Sequence, residues 1–116
     1  MRYMLMFYAD EADWGALAEG ARQEAIERIS AWYRQQASSG HIITGHRLAG
    51  SRTATSVRLG RAGRRGIPVV TDGPFVETKE ALGSFAIVEV PDHAAAVAMA
   101  ESWPGGGGVE IRPLAD

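Results

Sequence analysis

The sequence predicts an α+β domain of βαββαβ order with an inserted β-hairpin, its helices packed on one face of an antiparallel sheet. Three observations carry that prediction. Two short apolar runs, Arg2 to Tyr8 and Ser84 to Val90, are bounded by turn residues and read as strands. One amphipathic pattern fills the stretch from Ala21 to Ser39, and a second, alanine-rich helix follows Pro91-Asp92. All 116 residues belong to one domain, because the chain is too short for two independent cores.

In the first strand, alternation puts Tyr3, Leu5 and Phe7 on one face and Met4, Met6 and Tyr8 on the other. Both faces are apolar, so the strand is expected to be central and covered on both sides. Asp13 to Ser39 reads as helix with a break near Gly15 or Gly20. Its apolar stripe runs Ala25, Ile26, Ile29, Trp32, Tyr33, Gln36, with Arg22, Glu24, Glu27, Arg28 and Arg34 on the solvated side. Gly40 closes it. His41 to Thr44 is a short strand, followed by a bend through Gly45-His46-Arg47 to Gly50. Ala54 to Leu59 and Gly66 to Thr71 flank a glycine- and arginine-rich connection and predict a hairpin. After Ser84 to Val90, Asp92 caps the second helix, whose expected buried stripe is Ala94, Val97 and Ala98. Val109 to Leu114 is the last strand, placed at an edge by Pro113. Helices cover one face of such a sheet, so a homodimer joined through the other face is expected.

Composition narrows the function classes. There is no cysteine, which removes disulfide scaffolds, thiolate metal sites and a cysteine nucleophile. No apolar run approaches the roughly 20 residues that span a bilayer, and no signal peptide opens the chain, so a cytoplasmic location without membrane contact is expected. The net charge is −2, yet residues 28 to 71 contain eight arginines and no Asp or Glu. Arg61, Arg64 and Arg65 gather at the expected hairpin tip. Aromatic residues are missing from 34 to 74, so nucleic acid is not the expected partner. His41, His46 and His93 lack metal-pair spacing, and no dinucleotide or phosphate fingerprint is present. No metal or cofactor is expected.

The most distinctive passage is Thr71-Asp72-Gly73-Pro74-Phe75 with Val76 to Gly83 behind it. Together with RYMLMFY at the start, Ala54-Thr55-Ser56-Val57-Arg58, and the ending Val109 to Leu114, it resembles the YCII-related family in its DGPF subgroup. The resemblance implies a ferredoxin-like domain that pairs as a dimeric α+β barrel. It also implies acid/base chemistry by a His and Asp pair, and association with sigma factors of the extracytoplasmic-function class.

Two readings of function follow. The first is a small-molecule site, with cofactor-independent acid/base activity, between the sheet and the segment around Asp72. Asp72 would accept or orient a proton and His46, beside Arg47 in a glycine-flanked bend, would be the acid or base. Arg58 would anchor an anion, with Arg47, Glu77 and Lys79 as further ligand-binding candidates. Against this stands the plainer role of Asp72 as a turn former bonding its own backbone. The second reading is a non-catalytic accessory module that presents the arginine-rich hairpin to a sigma factor.

Overall fold

The computed structural model describes residues 1–60 and 66–115. The elements run β1 (Arg2–Asp10), α1 (Glu11–Ala16), α2 (Glu19–Ser38), β2 (Ile42–Arg47), β3 (Thr55–Arg58), β4 (Val69–Asp72), β5 (Glu80–Glu89), α3 (His93–Glu101) and β6 (Gly108–Pro113). Four strands form one antiparallel sheet in the order β2-β5-β1-β6, and β3 pairs with β4 as a separate antiparallel hairpin. This mixed α+β arrangement is compatible with a ferredoxin-like fold. The hairpin interrupts it between β2 and β5. Arg61, Arg64 and Arg65 lie outside the described residues.

β1 and β5 sit centrally, as their two apolar faces require. Tyr3, Leu5 and Phe7 are buried beneath the helices with Ala86, Val88 and Val90, and the register sets Leu5 opposite Ala86 and Ile111. The other face carries Met4 opposite Ile87 and Met6 opposite Phe85, all half-buried.

The α2 stripe falls where the three- and four-residue spacing puts it, with Trp32 buried and its neighbours half-buried. Trp32 stands edge-on to Phe7 and Trp103, and Phe7 stacks on Trp103 at 4.0 Å. Its indole N–H donates to Ser102 Oγ at 2.8 Å, so the buried donor is satisfied. Gly40 takes φ +76° and closes the helix.

Four expectations are corrected. The first helical stretch starts earlier, at Glu11, and breaks at Leu17-Ala18, because the Asp10 carboxylate caps α1 by accepting from Ala12 N at 2.9 Å. Arg22 bridges that break, donating from Nη2 to the carbonyls of Gly15 and Leu17. Gly45, His46 and Arg47 belong to β2 rather than to a bend, since β5 extends back to Glu80 and pairs with them. In α3 the buried residues are Ala96 and Met99, not Ala94, Val97 and Ala98. A run of alanines gives little contrast between faces, so the methionine decides which side is buried. Both hairpin strands are shorter than expected, at four residues each.

Candidate functional site

Between the middle of α2 and the sheet lies a cleft of about 490 Å³, within the usual range for a small-molecule site. Its walls are mainly aromatic and aliphatic: Phe7 from β1, Trp14 from α1, Ile26, Ile29 and Tyr33 from α2, and Trp103 after α3. Its polar lining includes Glu11, Ser30, His46, Arg47 and Ser84.

Each wall has a local cause. Asp10 starts α1 and thereby brings Trp14 over the end of β1. Ile26, Ile29 and Tyr33 follow one another at helical spacing on the buried side of α2. Gly45 is the complement of Tyr33: a Cβ at position 45 would stand 2.8 Å from Tyr33 Cε1. Trp103 folds back over Gly105, where a side chain would meet the indole at 2.6 Å. The loop from Leu48 to Thr53 is tied beside the cleft by Glu11, whose carboxylate accepts from Ser51 N at 2.9 Å and from the Ser51 hydroxyl. Those two bonds hold the Glu11 carboxyl below its ordinary value.

Tyr33 is the polar centre of the cleft. Its Oη is buried and has no hydrogen-bond partner among the described residues. Burial pushes the phenol above its ordinary value, and the Ser84 hydroxyl nearby opposes this. The group is therefore a neutral donor at physiological pH. An unpaired buried hydroxyl costs about 1–3 kcal/mol until an acceptor reaches it.

The candidate residues divide between places. His46 and Arg47 border the cleft, whereas Asp72, Arg58, Glu77 and Lys79 do not line it. Arg47 pairs with Ser84 and shares the helix-covered face with it. His46 pairs with Phe85 on the opposite face; its ring lies 5.8 Å from that of Phe85, and Nε2 is 3.0 Å from Thr44 Oγ1. The imidazole is thus turned away from the helix side. Asp72 ends β4, exposed and opposite Thr55, and its carboxylate makes no hydrogen bond within its own turn among the described residues. Arg58 reaches the turn, but by donating from Nη2 to Phe75 O at 3.1 Å with its guanidinium 4.2 Å above the Phe75 ring. Lys79 pairs at 3.9 Å with Asp10, and Glu77 is exposed.

Tyr33, Trp14 and Trp103 were absent from the sequence-based site. Two of them carry a readable signal, an aromatic residue next to a glycine or proline turn, as in Trp14-Gly15 and Trp103-Pro104-Gly105.

Among the described residues no helix is long and apolar enough to cross a membrane, and no three His, Asp or Glu side chains gather as a metal-holding group. Compared with known families, the chain matches the YCII-related domain over residues 1–116. An uncharacterized protein of Rhizobium meliloti (strain 1021) is 29% identical over 119 residues, covering 99% of this chain and 93% of its own length.

Proposed function

The chain belongs to the YCII-related family, and from that premise we propose that it binds a small aromatic or apolar molecule, bearing an acceptor oxygen, in the cleft under α2. The observation that carries this reading is the buried Tyr33 hydroxyl, which has no hydrogen-bond partner among the described residues, set in a mainly apolar cleft of about 490 Å³. A ligand oxygen would accept from Tyr33, the aromatic walls would take its flat body, and Arg47 at the rim favours an anionic group. Within the family, the Asp72-Gly73-Pro74-Phe75 turn supports placement in the DGPF subgroup.

Binding is the activity that the geometry supports best. The chain offers no thiol, and the His46 ring faces the other side of the sheet. The Glu11 carboxylate at the cleft wall is committed to Ser51, which leaves Tyr33 as the group placed to donate a proton in a cofactor-independent acid/base step. A thermal-shift screen of small aromatic carboxylates and their neutral amides tests the proposal. Binding at a hundredfold excess over Kd stabilises by about 2.7 kcal/mol. The wild type and Asp72→Asn should shift alike and Tyr33→Phe much less; an undiminished shift in Tyr33→Phe would sink the assignment.

A further inference from the structure

We infer that α1 is a strap across the mouth of the cleft that opens by local unfolding, with the Glu11–Ser51 contact as its latch and the residues from Gly15 to Gly20 as its hinge; the gating role rests on the cleft being the binding site proposed above. Tyr33 Oη is buried, so a molecule that reaches it must pass a wall that yields. Most of the walls are anchored. Phe7 belongs to the core, Tyr33 follows the buried Trp32 along α2, and Trp103 stacks on Phe7. The short helix α1 is different: it contributes Trp14 to the cleft but holds no buried residue, and from Glu11 to Gly20 every residue except Trp14 is exposed. Its six residues are also too few to hold as helix unaided, since isolated helices shorter than about 12 residues are marginal in water.

The chain weakens this segment where packing does not require it. Gly15 lies inside α1 and Gly20 in the first turn of α2, and a Cβ at either position would meet nothing within 4 Å. Each glycine lowers helix stability relative to alanine. Between them Leu17 and Ala18 are extended, with ψ 142° and 152°, and Ala18 offers α2 no side-chain cap. The first amides of α2 thus lack the partner that a Ser or Asp would supply. What holds the strap down is polar. At one end Glu11 accepts from Ser51 N and from the Ser51 hydroxyl, which ties it to the short turn Ser51–Thr53, itself without a buried residue. At the other end Arg22 Nη2 donates to Gly15 O at 3.2 Å and to Leu17 O at 3.0 Å, while its Nε is buried with no partner among the described residues. A buried donor left unpaired is a cost of the closed state, and it favours opening.

The chain has no cysteine, so Ser30→Cys, on the α2 wall of the cleft, supplies a single thiol whose reaction with dithiobis(nitrobenzoic acid) reports access to the cleft. At one fixed pH, adding Glu11→Ala should speed labelling at least about tenfold, the effect of losing hydrogen bonds to a charged group. Adding Gly15→Ala should slow it about fivefold, the effect of replacing a helical glycine. In the same variants without the cysteine, protection of the Leu17 amide against hydrogen exchange should fall and rise accordingly, with the core amides of β1 and β5 unchanged. No ligand takes part in these measurements, so a thermal-shift screen without a hit would count against the binding proposal and not against the strap. Equal labelling rates in the three proteins overturn the inference. So does an acceleration in Glu11→Ala accompanied by loss of protection in β1 and β5, which would make the opening global.

Discussion

The ring of Tyr33 occupies the space that a side chain at position 45 would need: a Cβ on Gly45 would lie 2.8 Å from Tyr33 Cε1. The ring has little room to yield, because Phe7, Trp32 and Trp103 stand edge-on around it at 5.2 to 6.5 Å between centroids. Gly45 is therefore a site residue without a side chain.

Gly45→Ala should cost about 1–3 kcal/mol, the usual penalty for forcing extra volume into packed surroundings. The same change should weaken ligand binding in the cleft by displacing the Tyr33 hydroxyl. Urea denaturation and ligand titration of the purified variant measure the two effects. A fully stable Gly45→Ala protein with unchanged binding would show that Tyr33 moves freely.

The Tyr33 phenol also gives the alkaline limb of stability a direction. Burial raises its folded value above the ordinary 10.0, so the neutral form is the one the fold favours. Its contribution is complete below about pH 10 and is lost as pH rises through the folded value. Tyr33→Phe should flatten the fall in thermal midpoint above about pH 10. An identical fall in the variant would assign it to other groups.

At the acid end the relevant contact is Glu11 to Ser51. The folded value of Glu11 is lowered from 4.5 by its bonds to Ser51. The tether is intact above that ordinary value and is lost as pH falls through the folded one. Protection of the Ser51 amide, taken relative to its intrinsic exchange rate at each pH, should fall on that descent. Glu11→Ala should show the low protection already at neutral pH, with the core amides of β1 and β5 unaffected. Equal protection in the variant would mean that the loop is held elsewhere.

Leu5 is fully buried between Ala86 and Ile111, and Leu5→Ala should destabilise by about 2–5 kcal/mol. Met4→Ala, on the half-buried opposite face, should cost less in the folded monomer. Comparing the urea midpoints of the two variants at several protein concentrations separates core packing from association.

The fold was legible wherever hydrophobic contrast was strong. Two-sided apolar strands placed β1 and β5 in the centre, and the Ile26, Ile29, Trp32, Tyr33 spacing oriented α2. Contrast failed in α3, where alanines surround Met99, and in β2, where Gly45-His46-Arg47 has the composition of a bend but pairs with β5. The cleft was less legible than the fold. Its aromatic walls come from positions 7, 14, 33 and 103, which only the folded chain brings together, and each of these residues reads locally as core. The turn at Asp72 is conspicuous for a different reason: Gly73 and Phe75 are tied to β3 and the residue before it, through Gly73 N to Ala54 O, Ser56 Oγ to Gly73 O and Arg58 to Phe75 O.

The central claim is that Tyr33, not Asp72, anchors a ligand in the cleft under α2. Trp14 and Trp103 line that cleft, so their fluorescence reports its occupancy. The most direct measurement is a titration with the best aromatic carboxylate from the screen, run on the wild type, Tyr33→Phe and Asp72→Asn. A saturable change in the wild type and Asp72→Asn, with affinity lowered about tenfold by Tyr33→Phe through loss of one buried hydrogen bond, is the predicted result. Binding that survives in Tyr33→Phe but disappears in Asp72→Asn would contradict it.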